Sequence, residues 1–495
     1  MNYISTRDRS VKTTASGAIA QGISAEGGLF VPSDLPKFQI EDFKLLSRMD
    51  YRERAFFILK KFLDDFTDEE IKNCADGAYT GTFENEIPAK LVSVSDKLNV
   101  LELWHGPTCA FKDLALQLLP FLLTVSAKKS SGGKKTVILV ATSGDTGKAA
   151  LEGFCDVPDT EIIVFYPNDG VSPMQKLQMA TQKGNNVHVF GINGNFDDAQ
   201  SGVKKLFTDP ETLSRLDAAG YRFSSANSIN WGRLAPQIVY YVSSYCDLLA
   251  RGETIPEGGI NIVVPTGNFG NILAAYYAKE MGVPVHKLIC ASNKNRVLTD
   301  FIRTGVYDRN RPFFTTTSPS MDILISSNLE RMLFALSDGD DSLVAALQKD
   351  LSEKGTYRLP DDMKEKMSAL FYGGCCDDEK TKETICRYFK EKRYLSDTHT
   401  AVALNVYEQY VAETGDDRVT VLASTASPYK FAHSVLTAVS DRQVSGEFEA
   451  VRLLSEITET AIPKPITALE SAEIRFGNVC EKDEMKSAVF TSLKI

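Results

Sequence analysis

From residue 135 onward, short apolar runs alternate with segments in which apolar residues recur at helical spacing. The apolar runs are rich in β-branched residues, which is typical of strands buried on both faces of a sheet. They are TVILVATS (136–143), TEIIVFYP (160–167), VHVFGI (187–192), INIVVPTG (260–267), KLICAS (287–292) and RVTVLAS (418–424). The helical segments include GDTGKAALEGFC (144–155) and FGNILAAYYAKEMG (269–282). This alternation predicts an α/β fold around parallel sheets.

Other parts of the chain have a different pattern. Residues 1–95 begin with an extended segment and continue with helical segments such as DYRERAFFILKKFLDDF (50–66). Residues 329–395 are charge-rich, which predicts helices with solvated faces. The apolar run LALQLLPFLLTVSA (114–127) predicts a core helix, because it is too short to span a bilayer. The segment KKSSGGKK (128–135) predicts a polar loop.

Composition narrows the possible functions. The 495 residues are enough for two or three hydrophobic cores. A net charge of −10 argues against a general affinity for nucleic acid or membrane surfaces, although it allows a local basic pocket for a small anion. The nine cysteines are scattered and there are only five histidines, which predicts reduced thiols in a cytoplasmic protein and no metal site. The N-terminal stretch lacks an apolar signal-peptide core, so we expect no secretory signal.

Three loops lie at the ends of predicted strands, where ligands bind in α/β sheets. TSGDTG (142–147) opens a helix whose amide groups would face an anion. In TGNFGN (266–271), Gly267 and Gly270 permit unusual backbone angles that would turn several N–H groups toward a phosphate. STAS (424–427) offers hydroxyls for a hydrogen bond to a ring atom. The alternative for each loop is an ordinary tight turn or a helix cap.

The stretch HGPTCAFKD (105–113) places a lysine just before an apolar run. If a helix begins near Thr108, Lys112 shares a face with the apolar residues Ala115, Leu116, Leu119 and Leu123. The other side of that helix carries Asp113, Gln117 and Pro120. Burial would favour the neutral amine of Lys112, the form that condenses with a carbonyl group. The alternative is a lysine that snorkels to solvent.

These features together meet the requirements of one cofactor. The lysine supplies an amine for a Schiff base, the glycine-containing loop supplies amide groups for a phosphate, and the strand-end hydroxyl supplies a partner for a ring nitrogen. Pyridoxal 5′-phosphate carries an aldehyde, a phosphate and a pyridine nitrogen. The residues therefore predict a pyridoxal-phosphate site.

A set of longer motifs occurs in a fixed order along nearly the whole chain. They are AEGGLFVP (25–32), HGPTCAFKD (105–113), ATSGDTG (141–147), NSINWGRLAPQIVYY (227–241), PTGNFGN (265–271), SPSMDILISSNLERMLF (318–334), DTHTAVA (397–403) and STASPYKF (424–431). The set resembles threonine synthases of the fungal and enterobacterial type. The resemblance implies an α/β fold of fold type II, similar to the tryptophan synthase β subunit, with two domains around a cofactor cleft. It implies an N-terminal region (1–95), a domain with the lysine (96–235), and a domain with the phosphate loop (236–495) that contains a helical insertion near 329–395.

The resemblance also implies roles for individual residues. The lysine that forms the Schiff base with the cofactor would be Lys112, and the partner of the pyridine nitrogen would be Thr425. The loop that binds the cofactor phosphate would comprise Gly267, Asn268, Phe269, Gly270 and Asn271. The loop near the substrate carboxylate would comprise Ser143, Gly144, Asp145 and Thr146. A substrate phosphate needs cationic or amide donors, and the candidates, each with a structural role as its alternative, are Lys148, Asn230 and Arg233.

The implied reaction converts O-phospho-L-homoserine and water into L-threonine and phosphate, a step of threonine biosynthesis. The nearest alternative is a threonine synthase-like phospho-lyase that releases 2-oxobutanoate, ammonia and phosphate. More distant alternatives are a β-replacing enzyme of the same fold and a non-catalytic binding protein. The implied partner is the small-molecule substrate, without nucleic acid or membrane, and the chain would be a monomer or a homodimer.

The chain departs from the family pattern at five positions. They are Glu26 in place of aspartate, Thr398 in place of proline, Ser427 in place of histidine, Tyr429 in place of alanine, and Lys148 in place of a small residue. None of these changes removes an implied cofactor contact. We expect Ser427 and Tyr429 to alter the edge of the substrate pocket.

Overall fold

The computed structural model describes residues 1–130 and 133–495. Within these residues the strands form two large and two small sheets. The strands are β1 Tyr3–Ser5, β2 Lys12–Thr13, β3 Phe30–Pro32, β4 Lys90–Ser93, β5 Leu98–Glu102, β6 Lys135–Ala141, β7 Thr160–Pro167, β8 Val187–Asn193, β9 Tyr221–Ser224, β10 Ile260–Pro265, β11 Val285–Ser292, β12 Val306–Asp308, β13 Thr356–Arg358, β14 Phe371–Cys375, β15 Thr420–Ser424 and β16 Val479–Glu481.

Helices connect these strands and cover the large sheets. They are α1 Ala15–Gln21, α2 Ile40–Leu46, α3 Tyr51–Lys60, α4 Asp68–Tyr79, α5 Lys112–Leu116, α6 Leu119–Ser130, α7 Asp145–Gly153, α8 Pro173–Ala180, α9 Phe196–Thr208, α10 Pro210–Ala218, α11 Trp231–Ala250, α12 Gly270–Glu280, α13 Val297–Thr304, α14 Leu329–Leu336, α15 Asp341–Lys354, α16 Asp361–Leu370, α17 Asp378–Lys392, α18 Thr398–Thr414, α19 Ala432–Val439, α20 Glu447–Thr458, α21 Lys464–Thr467 and α22 Met485–Leu493. Short 3-10 helices cover Glu84–Glu86, Pro319–Met321, Pro428–Phe431 and Ala468–Ser471.

The two large sheets are almost entirely parallel. The six-stranded sheet has the order β14-β11-β10-β15-β5-β4, and only its edge strand β4 is antiparallel to its neighbour. The five-stranded sheet has the order β16-β8-β7-β6-β9 and is parallel throughout. Every predicted apolar run forms one of these strands, and both predicted helical segments form helices, α7 and α12. The predicted α/β architecture is therefore confirmed.

Each large sheet includes a strand from a distant part of the chain. Strand β5 pairs with β15 of the six-stranded sheet, and β16, near the C-terminus, pairs with β8 of the five-stranded sheet. Both of these pairs join strands on opposite sides of the predicted boundary at residue 235, and the pair β4–β5 crosses the boundary at residue 95. The predicted division therefore does not coincide with the grouping of strands into sheets. The division into an N-terminal region and two domains stays a prediction.

The helical region 329–395 also contributes to the six-stranded sheet. Strand β14 lies inside it and pairs with β11, and β13 lies inside it and pairs with β12, so the region contains two strands in addition to the helices that we predict. The sequence FYGGC of β14 has few β-branched residues, which is why its pattern does not identify it. Gly373 in β14 approaches the backbone of Thr299 so closely that an added Cβ would lie 3.1 Å from it.

The helix around Lys112 differs from the prediction. It begins at Lys112 rather than near Thr108, and the apolar run after it is divided between α5 and α6. The division falls before Pro120, which has no amide hydrogen to donate to the preceding turn. Helix α6 continues to Ser130, so the first part of the predicted loop 128–135 is helical; residues 131–132 lie outside the described residues.

We predict that the contact between α5 and α7 does not tolerate a side chain at Gly153. An added Cβ would lie 2.0 Å from the carbonyl oxygen of Leu116, which is backbone and cannot rotate away. We expect Gly153→Ala to destabilise the protein by about 1–3 kcal/mol through overpacking. The matched control is Gly477→Ala, because a Cβ at Gly477 meets nothing within 4 Å. Equal thermal-unfolding midpoints for the two variants would contradict this close packing.

Candidate active site

Lys112 is buried, as its position on the apolar side of the predicted helix indicates. Its side chain is 10% exposed, and its Nζ lies 3.3 Å from Oδ2 of Asp145 and 3.4 Å from Oγ of Ser320. Burial lowers the pKa of Lys112; Asp145 counteracts this effect, whereas the charges of Lys430 and Arg233 reinforce it. The amine is therefore held closer to its neutral, nucleophilic form.

Asp145 is the centre of the charges around Lys112. Its Oδ1 accepts hydrogen bonds from Lys430 Nζ at 2.7 Å and from Gln175 Nε2 at 2.9 Å. Although burial raises the pKa of Asp145, the charges of Lys430 and Lys112 hold it well below its usual range. An ionised carboxylate repels a substrate carboxylate, so the side chain of Asp145 does not suit the substrate contact that we predict for it. Its contacts instead give it the role of a counter-ion.

Three of the residues that contact Asp145 are not among those predicted from the sequence. Lys430 and Ser320 lie within motifs of the resemblance, and Gln175 lies in helix α8 outside them. The one available signal is that Lys430 is a lysine in the mostly apolar and hydroxyl-bearing stretch after a buried strand. More than a hundred residues of sequence lie between Lys112 and Ser320, and again between Ser320 and Lys430. No spacing rule therefore links these two residues to Lys112.

Asp113 lies in the interior, contrary to its expected place on the polar side of the helix. Its carboxylate accepts hydrogen bonds from the amide of Thr108 at 2.8 Å and from the hydroxyl of Thr108 at 2.6 Å. These two bonds fold residues 108–111 into a turn, and they explain why the helix begins at Lys112 rather than at Thr108. Burial raises the pKa of Asp113 to about 6.

The STAS segment lies directly beside the lysine motif. The carbonyl of Thr425 accepts a hydrogen bond from the amide of Phe111 at 2.8 Å, and Ala426 forms an isolated antiparallel bridge with Ala110. Thr425 is therefore held against the residue that precedes Lys112, at the carboxyl end of β15. This arrangement brings together two of the sequence-predicted site residues.

The GNFGN loop connects β10 to helix α12, and it departs from the backbone geometry that we predict. The residue with the left-handed conformation is Phe269, with φ 62°, rather than either glycine. Gly267 is required for close approach, because an added Cβ would lie 2.6 Å from the carbonyl oxygen of Ser320. Helix α12 begins at Gly270 without a side-chain cap, which leaves its first amide groups for an anion. Asn268 is exposed at the tip of the loop.

Asn271 contributes an unused donor to the same loop. Its Oδ1 accepts hydrogen bonds from the hydroxyls of Tyr240, at 2.7 Å, and Tyr241. Its buried Nδ2 has no hydrogen-bond partner within the described part of the chain. A buried amide donor without a partner is costly, and a bound acceptor would satisfy it.

The TSGDTG loop is fixed by the hydroxyl of Thr142. This hydroxyl accepts hydrogen bonds from the amides of Gly144 at 3.0 Å and Gly147 at 2.9 Å. Gly144 has φ 136°, a conformation that side chains rarely adopt. Ser143 is exposed and Thr146 is half-buried, so both remain accessible at the start of α7.

The three candidates for the substrate phosphate have different environments. Lys148 donates a hydrogen bond to Glu152 at 2.9 Å and another to Gln182, so its charge is already paired. Asn230 caps helix α11, and its amide donates to the carbonyl of Ile19 at 2.9 Å, so its role is structural, contrary to the prediction. Arg233 uses one nitrogen for a backbone carbonyl at 2.8 Å, while its buried Nε has no partner among the described residues.

Arg233 is therefore the candidate that retains an unused donor. Burial lowers the pKa of Arg233 to about 10, so the side chain remains charged at neutral pH. The positive charge of Arg233 also lowers the pKa of Lys112.

A second buried pair supports Ser320. His399 Nδ1 lies 2.7 Å from Asp397, and His399 Nε2 accepts a hydrogen bond from the amide of Ser320 at 3.2 Å.

Tyr429 is one of the departures from the family pattern, and its hydroxyl donates to the carbonyl of Thr460 at 2.8 Å. Tyr429 thus fastens the C-terminal segment, and nothing in this contact supports its predicted effect on the substrate pocket.

Three known protein families match successive parts of the chain. Residues 2–79 match the threonine synthase N terminus, residues 90–356 match the pyridoxal-phosphate dependent enzyme family, and residues 400–489 match the threonine synthase C-terminal family. The chain is 34% identical to threonine synthase of Saccharomyces cerevisiae over 98% of both chains.

The chain belongs to the threonine synthase family.

Two further proteins are similar to this chain. A crystal structure of pyridoxal-phosphate-bound threonine synthase from Brucella melitensis superposes with a TM-score of 0.88 and 34% identity, covering 100% of this chain and 99% of that one. The human protein named threonine synthase-like 1 is 38% identical over 87% of this chain, which spans only 58% of the length of that relative. The predicted fold type II and the predicted cofactor, pyridoxal 5′-phosphate, are confirmed for this threonine synthase family member.

The residues of this threonine synthase family member fit the cofactor. The uncapped start of α12 and the free Nδ2 of Asn271 suit a phosphate, and the buried amine of Lys112 suits an aldehyde. Thr425, held beside Phe111, offers a neutral hydroxyl. Within the described parts of the chain, no group of three or more potential metal ligands occurs. No described helix is both long and apolar enough to cross a membrane.

We predict that Asp113 makes stability depend on pH. The pKa of this buried carboxyl is raised to about 6 in the folded protein, so folding favours the protonated form. As pH falls from 7 toward 4, the folded protein binds a proton that the unfolded chain does not, and it gains relative stability. Asp113→Asn cannot bind that proton. The difference in unfolding midpoint, native protein minus variant, should therefore increase over this range; a constant difference would contradict the assignment.

Proposed function

We propose that this protein is a threonine synthase that converts O-phospho-L-homoserine and water into L-threonine and phosphate. One observation carries the proposal: the Nζ of Lys112 lies beside the TSGDTG loop, next to the STAS loop and against Ser320, whose backbone the GNFGN loop approaches, in a chain similar to a curated threonine synthase over nearly its whole length. The proposed substrate is a small molecule with an amine, a carboxylate and a phosphate.

In this proposal Lys112 attaches the cofactor through its Nζ. The residues that would hold the cofactor phosphate are Gly267, Asn268, Phe269, Gly270 and Asn271, at the start of α12. Thr425 would offer its hydroxyl to the pyridine nitrogen. Pyridoxal phosphate, when bound, supplies an aldehyde for amines and a ring that withdraws electrons from the substrate carbons.

The substrate would be held by the remaining candidates. Ser143 and Thr146 offer hydroxyl and amide groups to its carboxylate, whereas the amide of Gly144 is already bonded to Thr142; Arg233 offers its unused Nε to its phosphate. The Nζ of Lys112 is the group that would take the proton from the substrate Cα. A neutral Lys112 is required for this step; burial lowers its pKa and so favours that form, the charge of Lys430 adds to the effect, and Asp145 opposes it.

We also propose that the protein acts in the cytoplasm as a monomer or a homodimer, without nucleic acid or membrane partners. All nine cysteines are free, which is compatible with a reducing compartment. Sedimentation of the purified protein would distinguish the two oligomeric states.

The attachment of the cofactor is tested by Lys112→Ala. We expect the purified variant to lack the visible absorbance of the bound cofactor and to lose activity by a factor of at least about a thousand, because both attachment and proton transfer need this amine. The matched control is Lys176→Ala, which removes a lysine of α8 that donates to Asn168 at 2.7 Å. Full activity of Lys112→Ala would contradict the assignment.

Product analysis separates the two candidate reactions. The phospho-lyase alternative stays open because relatives named threonine synthase-like 1 have an identity to this chain similar to that of the curated threonine synthases. Purified protein supplied with O-phospho-L-homoserine should release L-threonine and phosphate in equal amounts. Release of 2-oxobutanoate and ammonia with phosphate, without threonine, would instead identify the lyase.

A further inference from the structure

Two buried lysines share one carboxylate in this protein. Lys430 is completely buried, and its Nζ lies 2.7 Å from Oδ1 of Asp145 and 3.0 Å from the carbonyl oxygen of Thr108. Lys112 lies on the other oxygen of Asp145, at the longer distance of 3.3 Å. The shorter and more deeply buried contact thus belongs to Lys430, although the proposed reaction uses only Lys112.

The carboxylate in contact with Lys112 is already paired when Lys112 is uncharged. Asp145 balances the charge of Lys430, with which it forms the shorter ion pair. A proton on Lys112 would therefore leave two buried ammonium groups beside one carboxylate. Burial of an unbalanced charge is strongly unfavourable. The other titratable groups near the two lysines are Arg233, whose charge acts on Lys112, and Asp113, whose carboxylate is bonded to Thr108. Further groups belong to pairs or to a buried thiol, namely Glu152 with Lys148, Asp397 with His399, Glu84 with His105, and Cys109.

We propose that Lys430 is a positioning residue: by occupying Asp145, it leaves Lys112 without a full counter-ion and holds it as the uncharged amine that attaches the cofactor. This inference rests on the proposed attachment at Lys112. Lys430 itself does not react. It acts through Asp145, whose carboxylate is also fixed by Gln175 at 2.9 Å and by Ser320 at 3.3 Å.

Removal of the Lys430 charge should therefore change the protonation of Lys112. In Lys430→Met, Asp145 keeps its negative charge, and among the described residues Lys112 becomes its one remaining ion-pair partner. The ammonium form of Lys112 is then favoured, and the amine becomes available only at higher pH. In Lys430→Arg the positive charge remains, so the protonation of Lys112 should change little.

The titration of Lys112 is measured in the full-length apoprotein. Brief acetylation of lysines with acetic anhydride at a series of pH values, read by mass spectrometry of the peptide that contains Lys112, gives its midpoint without any cofactor. We expect Lys430→Met to raise this midpoint by about one pH unit or more, as loss of a neighbouring like charge does. The rate at which each apoprotein binds added pyridoxal phosphate should show the same displacement along the pH axis.

Two controls separate this role from a general effect on folding. Lys176→Met removes a lysine outside the cluster and should leave the midpoint unchanged, as should Lys430→Arg. A folded Lys430→Met protein with the native midpoint would overturn the inference. If Lys430→Met does not fold, Lys430→Gln is used in its place, because an amide can still donate to Asp145 and to the carbonyl of Thr108; it should also raise the midpoint, and a folded Lys430→Gln protein with the native midpoint would overturn the inference.

The labelling result is independent of the proposed reaction. Borohydride reduction of the native holoenzyme followed by peptide mapping identifies the lysine that carries the cofactor. A cofactor found on another lysine would contradict the proposed function, whatever the midpoint of Lys112. A cofactor on Lys112 with an unchanged midpoint in Lys430→Met would contradict only the role of Lys430.

Discussion

The cost of burying charge is the constraint on which the site depends. Asp145, Lys112 and Lys430 lie in an interior where an unpaired charge is strongly unfavourable, so their positions and protonation states are coupled. Asp145 forms the shorter ion pair with Lys430 and the longer one with Lys112, so its negative charge compensates Lys430 more fully than Lys112. A lysine that is partly satisfied remains a nucleophile, whereas a fully paired lysine would remain an inert ammonium group.

Backbone packing holds this cluster in place. The amide of Phe111 is bound to the carbonyl of Thr425, which joins the lysine turn to the end of β15. Gly267 allows the phosphate loop to contact the backbone of Ser320, and Ser320 in turn contacts Lys112. A side chain at Gly267 would separate the loop from the lysine, so this close approach determines the spacing between the amine and the amide groups of α12.

The N-terminal region reaches the same loop through one buried arginine. Arg331 in α14 donates to the carbonyl of Phe30 at 3.0 Å and to Oδ1 of Asn328 at 2.6 Å. The amide of Asn328 donates to the carbonyl of Asn268 in the GNFGN loop at 3.1 Å. The first strands of the chain are thus connected to this loop through two residues. This connection explains physically how a region distant from Lys112 in the sequence supports the site.

The sequence by itself determined six strands of the two large sheets, their parallel arrangement and the inward orientation of Lys112, because apolar runs and hydrophobic periodicity report burial. It also identified the loops at the carboxyl ends of the strands, and the order of the motifs identified the family. The partners of Asp145, the burial of Asp113, the strand β14 and the structural role of Asn230 were decided only by the tertiary structure. These features depend on contacts between residues far apart in the chain, for which neither spacing nor composition carries a signal.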